Sequence, residues 1–430
     1  MAIFIKDIYY LPMTGKRELK KGSIRIEGQR ITAIGNNLTP KWGDEIIYGQ
    51  DKCALPGFVN CHTHAAMTML RGVGEGLPLT NWLQEAILPR EAKLSGEDYY
   101  LGTLLANLEM LKSGTTCYAD MYMDLESSLW AINESGIRAV LGSGLVDDDG
   151  RGQCRLRDAL TFISRHRHTE EGRVTYMLAP HSVYSCSPAY LQEIAAAAQS
   201  EGLTLHIHLA ETQREQAQCV QKYGRRVMKH LEYIGFLNNR VLGAHMIHLD
   251  KDELKLAAHY GVVAVHCPQS NMKLASGIFP YDKYREYNIP VALGTDGAAS
   301  NNDLDMFEEM RTASLLAKVS SGDANALPAY EALEMATIGG ARALGLEGEI
   351  GSLEVGKKAD LNIISLWRPH FYPRDPQHCL IGHLAYCAKA GDVHTVIVNG
   401  KVLLKHGKAL YIDEGKLYQK VQERAQLQGR

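Results

Sequence analysis

No Cys-x-x-Cys spacing occurs in this 430-residue sequence, and its nine cysteines are scattered and odd in number. The pattern argues against both a disulfide framework and a zinc ribbon. No stretch approaches the roughly 18 consecutive apolar residues that a membrane-spanning helix needs. The formal net charge is only −3, so nothing in the composition attracts nucleic acid or a membrane surface. Together these absences predict a cytoplasmic protein with reduced thiols and with neither kind of partner.

The first residues, "MAIFIKDIYYLPM", lack the basic start, apolar core and small-residue cleavage site of a signal peptide, so we expect none. A hydrophobic fraction of 45% and a charged fraction of 22% are ordinary for a globular protein. The length suits one large domain, alone or with a smaller one.

Both ends of the chain are rich in strand signals. Near the N-terminus, "IFIKDIYYLP" carries β-branched and aromatic residues, and "GSIRIEGQRITAIG" alternates apolar and polar residues around a turn. Near the C-terminus, "VIVNGKVLL" holds the Asn-Gly signal of a two-residue hairpin at Asn399-Gly400. We expect a small β-sandwich domain built from residues 1–56 and 356–430.

The middle of the chain alternates strand-like runs with helical stretches. Helical segments such as "DYYLGTLLANLEMLKSG" end in glycine, as helices often do. Eight runs have the pattern of strands, at residues 55–60, 115–121, 137–146, 173–181, 203–211, 240–248, 261–267 and 289–297. This rhythm over about 240 residues predicts an α/β fold, a (β/α)8 TIM-type barrel, for residues 57–355. At this point a doubly wound open sheet is the alternative.

The first of these runs leads into "NCHTHAAM", with two histidines one residue apart. Alternate residues of a strand share a face, so His62 and His64 would point the same way, with Cα atoms roughly 6.5 Å apart. Two imidazole nitrogens at that spacing can bind one metal ion. Taken alone, the pair is also consistent with two unrelated histidines at a strand end.

The other strand ends favour the metal. In a barrel, catalytic groups project from the carboxyl ends of several strands toward one point. The candidates that end the predicted strands are His62, His64, His181, His208, Glu211, His245, His266 and Asp296. We predict a catalytic site with one metal ion per subunit, and one position open for water, formed by His62, His64, His208 and Asp296. Imidazole and carboxylate suit zinc, although Fe²⁺ or another divalent metal could occupy the same set.

Two further histidine pairs carry alternatives. His206 shares a strand face with His208, so spacing alone does not say which of the two binds. We favour His208, which Glu211 follows by three residues. His166 and His168 lie in the charged run "SRHRHTEEGR", which is typical of a solvated helix end or loop.

The segments that carry these residues resemble a known group of enzymes. In order and spacing, "PGFVNCHTH", "HLAE", "GAHMIHL", "HCPQSNMKLASG" and "GTDGAASNN" resemble the amidohydrolase superfamily. The longer segments "HTHAAMTMLRGVGEGLPLTNWLQEAILPREAKL" and "GTDGAASNNDLDMFEEMRTASLLAK" resemble more closely the 5-methylthioadenosine/S-adenosylhomocysteine deaminase family. The resemblance covers nearly the whole chain. Guanine deaminases, triazine hydrolases and 5'-deoxyadenosine deaminases share much of it.

The resemblance implies a zinc-dependent aminohydrolase that deaminates the adenine ring of 5'-substituted adenosines. 5'-Methylthioadenosine would give 5'-methylthioinosine and S-adenosylhomocysteine would give S-inosylhomocysteine, with adenosine or 5'-deoxyadenosine as further candidates. A hydroxide on the metal would attack C6 while Glu211 passes a proton to the adjacent ring nitrogen. His245 and Asp296 would orient the water and take its proton, and ammonia would leave. The run "RVTYMLAPHSVYS" has no lysine to bridge a second metal, which supports a single ion.

The substrate-binding set that the resemblance implies comprises Glu91, Arg155, His181, Glu211 and Asp296. Glu91 would accept the ribose hydroxyls, because two carboxylate oxygens suit a vicinal diol. Without the resemblance, the alternatives are a surface glutamate, a solvated arginine and a buried, hydrogen-bonded histidine. Ser143 stands where some members have an arginine, which favours the apolar tail of 5'-methylthioadenosine over the zwitterionic tail of S-adenosylhomocysteine.

Several alternatives stay open at this stage. Trp82, Leu83 and Leu88 could form an apolar lid over the 5' group or could be plain core. The enzyme could instead act on a free heterocycle, as guanine deaminases and triazine hydrolases do. A scaffold without activity is disfavoured because every metal ligand is present. The resemblance implies a homo-oligomer, dimer or tetramer, and His266 could line the pocket or pack behind it.

Overall fold

The computed structural model describes residues 2–427. The strands are β1 (Ile3–Tyr10), β2 (Lys20–Glu27), β3 (Arg30–Gly35), β4 (Glu45–Tyr48), β5 (Lys52–Pro56), β6 (Phe58–Thr63), β7 (Thr115–Tyr122), β8 (Arg138–Leu145), β9 (Val174–Pro180), β10 (Leu205–Leu209), β11 (Val241–His245), β12 (Val263–His266), β13 (Val291–Leu293), β14 (Leu361–Ser365), β15 (Val393–Val398), β16 (Lys401–Lys405) and β17 (Lys408–Ala409).

The helices are α1 (Leu79–Asn81), α2 (Leu88–Glu91), α3 (Gly96–Lys112), α4 (Leu125–Ser135), α5 (Gly152–His166), α6 (Pro188–Glu201), α7 (Gln213–Tyr223), α8 (Val227–Tyr233), α9 (Lys251–Tyr260), α10 (Pro268–Lys273), α11 (Tyr281–Glu286), α12 (Met306–Ser321), α13 (Ala329–Met335), α14 (Ile338–Leu344), α15 (Leu380–Tyr386) and α16 (Glu414–Leu427). A π-helical turn, Trp82–Ile87, joins α1 to α2.

The strands β6 to β13 form one sheet in sequence order, and their ladders are parallel. Each predicted run overlaps one of these strands, so the predicted strand positions are confirmed. β6 and β7 are buried at every position, as expected where helices cover one face of a parallel sheet and the barrel interior covers the other. Helices lie between successive strands, which is the arrangement predicted for a (β/α)8 barrel.

The ring closes where β13 meets β6. The Asn60 amide donates to Thr295 Oγ1 at 2.8 Å, and the Thr295 backbone N–H donates back to Asn60 Oδ1 at 3.1 Å. The Asp296 N–H donates to the His62 carbonyl at 3.0 Å. Gly294 permits this approach, because a Cβ there would lie 2.9 Å from the backbone nitrogen and oxygen of His62. Closure excludes the doubly wound open sheet.

A second, mixed sheet is built from both ends of the chain, in the order β17-β16-β15-β14-β5-β1-β2-β3, with β4 paired to β1. β5 joins the two ends, since it pairs with β1 on one side and with β14 on the other. Strands from both ends contribute to one apolar core, for example Ile24 and Leu361. At the predicted hairpin, Asn399 and Gly400 have φ of 51° and 77°, as a type I′ turn requires. The predicted fold class is confirmed; the boundaries at 56/57 and 355/356 stay predictions.

The C-terminal segment also contains helices, which its β-rich pattern did not predict. Arg424 of α16 donates to Asp98 of α3 at 2.9 and 2.7 Å. Burial raises the pKa of Asp98, but the hydrogen bonds from Arg424 and Ser95 more than offset this and hold the pKa below its ordinary value. This ion pair therefore fixes the last helix onto the barrel.

A buried ion pair also links the second sheet to the barrel. Arg138, at the start of β8, donates to both carboxylate oxygens of Asp360 at 2.7 and 3.0 Å.

None of the helices within residues 2–427 is long and apolar enough to cross a membrane. The nine cysteines all lie in this part of the chain and are free thiols.

Candidate metal centre and active site

The carboxyl ends of four barrel strands meet at one point. Nitrogen and oxygen atoms of His62, His208, His245 and Asp296 all lie within 4.8 Å of one another, and the four side chains are buried. His64, directly after β6, joins them: its Nε2 is 3.2 Å from Asp296 Oδ1 and 3.2 Å from His208 Nε2. The predicted metal-binding residues therefore come together, with His245 as a fifth member of the group.

The carboxylate of Asp296 is held in one orientation. Its Oδ2 accepts hydrogen bonds from Ser270 Oγ at 2.6 Å and from Ser300 Oγ at 2.8 Å. Its Oδ1 accepts from the Gly297 N–H at 2.8 Å and faces the histidines. The backbone of Asp296 has φ +60°, a conformation that side chains rarely adopt. Such strain is typical of a site in which position matters more than local stability.

The histidines present lone pairs to the same point. His64 Nδ1 donates to the Met121 carbonyl at 2.6 Å, and His208 Nδ1 donates to the His181 carbonyl at 2.7 Å. Because a carbonyl only accepts, both rings carry a proton on Nδ1, so Nε2 is the nitrogen that each ring can offer to a metal. His62 Nε2 is buried and meets no hydrogen-bond geometry in the described part of the chain, with Asp296 Oδ1 3.4 Å away. A buried polar atom without a partner is rare, and a cation would provide one here.

The electrostatics of this group favour a cation. Burial lowers the pKa of His62 to about 4 and lowers that of His208 well below its ordinary value. For His64, burial also lowers the pKa, but Asp296 outweighs it and raises the pKa to about 9. A carboxylate that attracts a proton so strongly attracts a divalent ion for the same reason. Imidazole nitrogens with one carboxylate are the donor set that Zn²⁺ and related divalent metals prefer.

Glu211 lies beside this group without belonging to it. Its Oε1 accepts from Ser276 Oγ at 2.8 Å, and its Oε2 is 3.9 Å from His245 Nε2. Burial raises the pKa of Glu211, which suits a group that must give and take a proton near neutral pH. His245 is oriented by Asn271, whose Oδ1 lies 2.8 Å from His245 Nδ1.

His181 and Glu91 lie at the same mouth of the barrel. The His181 ring centroid is 4.7 Å from that of His208. Burial raises the pKa of Glu91, while the hydroxyl of Tyr122 and the charge of His64 partly oppose that rise. Tyr122 in turn contacts the His64 ring, at 6.3 Å between centroids. These contacts bring both predicted substrate residues to the side of the metal group.

Arg155 is engaged elsewhere. It donates to both carboxylate oxygens of Asp149 at 2.6 Å each, and to the Val146 carbonyl at 2.9 Å. In the described part of the chain, its hydrogen bonds stay within the segment between β8 and α5. Its role in substrate binding remains a prediction.

The remaining candidates divide between core and surface. Trp82 is buried in an apolar cluster with Tyr122, whereas Leu88 is 51% exposed. His266 is buried and stacks on Phe279 at 4.5 Å between ring centroids. His166 ends α5, as the charged run around it predicted.

Sequence reasoning missed the residues that orient the group. Ser270, Ser276 and Ser300 each donate to a carboxylate named above, and Asn271 holds His245. These four residues lie in the segments "HCPQSNMKLASG" and "GTDGAASNN", which follow β12 and β13. Nothing in those segments marks them as the partners of the two carboxylates and of His245.

The barrel with its buried histidines, aspartate and adjacent carboxyl of raised pKa defines a metal-dependent hydrolase. Within that class, the chain belongs to the amidohydrolase family, which matches residues 53–403.

Three known proteins are closely similar to this chain. A 5-methylthioadenosine/S-adenosylhomocysteine deaminase of Pelotomaculum thermopropionicum is 45% identical over 427 residues, which are 98% of each chain. A 5'-deoxyadenosine deaminase of Methanosarcina acetivorans is 43% identical over 429 residues, 99% of this chain and 98% of its own. Among solved structures, an adenosine deaminase from Xanthomonas campestris with bound zinc has a TM-score of 0.93 at 34% identity, covering 99% of this chain and 98% of that one.

Proposed function

We propose that this protein catalyses hydrolytic deamination of the adenine ring in 5'-substituted adenosines, with 5'-methylthioadenosine as the preferred substrate. The observation that carries the proposal is the meeting of the predicted metal ligands beside the buried carboxyl of Glu211. Relatives at 45% and 43% identity that are named as deaminases of such nucleosides support it over hydrolysis of a free heterocycle.

Zn²⁺ is the metal we propose, one ion per subunit, with Fe²⁺ or another divalent ion as the alternative. The side chains that would hold it are those of His62, His64, His208 and Asp296, and His245 is within reach of the same point. The zinc bound by the structural neighbour at 34% identity supports this choice. When bound, Zn²⁺ supplies the Lewis acidity that makes a water molecule nucleophilic near neutral pH.

The side chains that would surround the ion either move a proton or orient the water. Asp296 takes one from the attacking water, and His245 orients that water toward C6 of the ring. Glu211 gives a proton to the ring nitrogen beside C6, which weakens the aromatic bond as the oxygen adds. Water thus adds across this bond. Asp296 then gives its proton to the amino group, which leaves as ammonia, while the C6 hydroxyl returns a proton to Glu211 and C6 keeps the oxygen as a carbonyl. Ser276 fixes Glu211 Oε1 and leaves Oε2 for this exchange.

Glu91 and His181 are the groups we assign to the rest of the nucleoside, Glu91 to the ribose hydroxyls. No residue that we predicted for substrate binding provides an unpaired positive charge for the 5' substituent. Arg155 is neutralised by Asp149 through two hydrogen bonds of 2.6 Å. Ser143, on β8, is uncharged, whereas some members of the resembled family have an arginine at this position. A zwitterionic tail would find no partner for its carboxylate there. A small neutral 5' substituent therefore fits better than homocysteine.

A substrate panel tests this function. The zinc-loaded protein would be offered 5'-methylthioadenosine, 5'-deoxyadenosine, adenosine, S-adenosylhomocysteine and guanine, with ammonia release and the purine ultraviolet spectrum followed together. We expect turnover of the adenine nucleosides, with 5'-methylthioadenosine ahead of S-adenosylhomocysteine. Equal kcat/KM for these two would reject the ranking. Failure to deaminate any adenine nucleoside would reject the function and leave hydrolysis of another ring.

Two further properties stay predictions. The free state of all nine cysteines in the described part of the chain supports a reducing compartment, the cytoplasm. Assembly into a dimer or tetramer is checked by light scattering of the purified protein.

A further inference from the structure

The histidines of the metal centre differ in the hydrogen-bond partner of Nδ1, the ring nitrogen that points away from the metal group. For His64 it is the Met121 carbonyl, and for His208 it is the His181 carbonyl, at 2.6 and 2.7 Å. A carbonyl has no proton to give, so it allows one arrangement only, with the ring proton on Nδ1. These two rings are therefore prepared for a metal by the backbone itself. His62 is different.

Nδ1 of His62 faces a second imidazole. This nitrogen lies 3.0 Å from Nε2 of His206, and the two ring planes cross at 82°. Both side chains are 0% exposed. An imidazole nitrogen can donate or accept, so this hydrogen bond is compatible with two positions of the proton.

Only one of these positions lets His62 bind an ion. If His62 donates from Nδ1, its Nε2 keeps a lone pair that points to the metal group. If His206 donates instead, the proton of His62 lies on Nε2, which faces Asp296 Oδ1 at 3.4 Å, and the lone pair is lost to the metal. His206 Nδ1 has no partner among residues 2–427. The hydrogen bond to His62 is thus the one hydrogen bond that the His206 side chain makes in this part of the chain.

We propose that His206 is a positioning residue of the metal centre: it accepts the Nδ1 proton of His62 and thereby turns the Nε2 lone pair of His62 toward the ion. This inference rests on the proposed metal centre but not on the identity of the nucleoside. His206 does not replace His208 as a ligand, because its Nε2 is occupied by His62. Since an ion binds only one of the two proton arrangements, loading the metal selects that arrangement.

The test measures zinc affinity by competition with a chromogenic chelator on metal-depleted protein. His206→Phe keeps a ring of similar size and removes the acceptor, and we expect the zinc dissociation constant to rise about 10- to 100-fold. His206→Gln retains an acceptor oxygen and should recover most of that loss. The matched control is His230→Phe. His230 is also buried, its ring nitrogens have no partner in the described residues and it stacks on Tyr223 at 4.1 Å between ring centroids, so zinc affinity should not change.

Each outcome distinguishes the inference from the proposed function. Unchanged zinc affinity in folded His206→Phe would overturn the inference while leaving the metal centre intact. Failure of the parent protein to bind zinc would overturn both. If His206→Phe does not fold, nitrogen NMR of the zinc-loaded parent, labelled at histidine, decides: an unprotonated His206 Nε2 that accepts from His62 Nδ1 supports the proposal, and a proton on His206 Nε2 refutes it.

Discussion

Replacing Glu91 with glutamine should impair nucleosides far more than substrates that lack the ribose diol. Glu91 follows the π-helical turn Trp82–Ile87, and burial raises its pKa, so its carboxylate works in surroundings of low polarity. In such surroundings a hydrogen bond to a charged acceptor contributes about 1.5–3 kcal/mol. Glutamine keeps the size of the side chain but has one acceptor and no charge.

Two ribose hydroxyls bound by one carboxylate amount to about 3–6 kcal/mol at most. Since about 1.4 kcal/mol corresponds to tenfold, kcat/KM for 5'-methylthioadenosine should fall roughly 10²- to 10⁴-fold in Glu91→Gln. The loss should appear mainly in KM, because the ribose is bound equally well before and during the reaction.

The assay compares 5'-methylthioadenosine with its 2',3'-dideoxy analogue. The parent should prefer the diol, and Glu91→Gln should treat the two compounds nearly alike. Glu85→Gln is the matched control, because Glu85 lies in the turn that precedes Glu91, is exposed and contacts Asn81. An equal loss on both compounds would refute the assignment of Glu91 to the diol, as would no loss on either.

Three other predictions test separate parts of the molecule. Glu211→Gln keeps its shape but cannot transfer a proton, so turnover should fall about 10²- to 10⁴-fold. Elemental analysis should find its metal content unchanged, and a loss of metal would argue for a ligand role instead. Gly294→Ala places a methyl group 2.9 Å from the backbone of His62, so the barrel should open at this seam and the metal content should drop; full metal content would show that the seam tolerates the methyl group. Arg424→Leu should lower the free energy of unfolding by about 1.5–3 kcal/mol at neutral pH, measured in urea. Because Arg424 stabilises the ionised form of Asp98, whose pKa is held below 3.8, the difference from the parent should shrink as the pH falls below about 4. A difference that stays constant at lower pH would contradict this.

The barrel was predictable because its strands carry a strong signal. Parallel strands buried on both faces are apolar runs, and each ends where a polar loop begins, so eight boundaries could be placed from the sequence. The candidate metal residues could be placed for the same reason, since His208 lies one residue before the end of β10 and Asp296 lies three residues after β13. The final helix, Glu414–Leu427, was not predictable, because Leu417 is its only buried residue and its position depends on contacts with α3.

The choice between His206 and His208 shows where sequence reasoning stops. Both side chains face the barrel interior, because alternate residues of a strand share a face. Which one reaches the metal group depends on depth along the barrel axis, and that is fixed by the register of β10 against β11. The pairing of Arg155 with Asp149 is likewise set by the path of a loop that no local pattern specifies. Long-range geometry decides both.

Zinc titration of the metal-depleted protein tests the central claim most directly. Zinc would be added stepwise to a known amount of chain, with bound metal and the rate of ammonia release from 5'-methylthioadenosine measured at each step. We predict that activity is negligible without metal, rises in proportion to bound zinc and levels off at one ion per chain. Full occupancy without ammonia release, or equal activity before any zinc is added, would contradict a metal-dependent nucleoside deaminase.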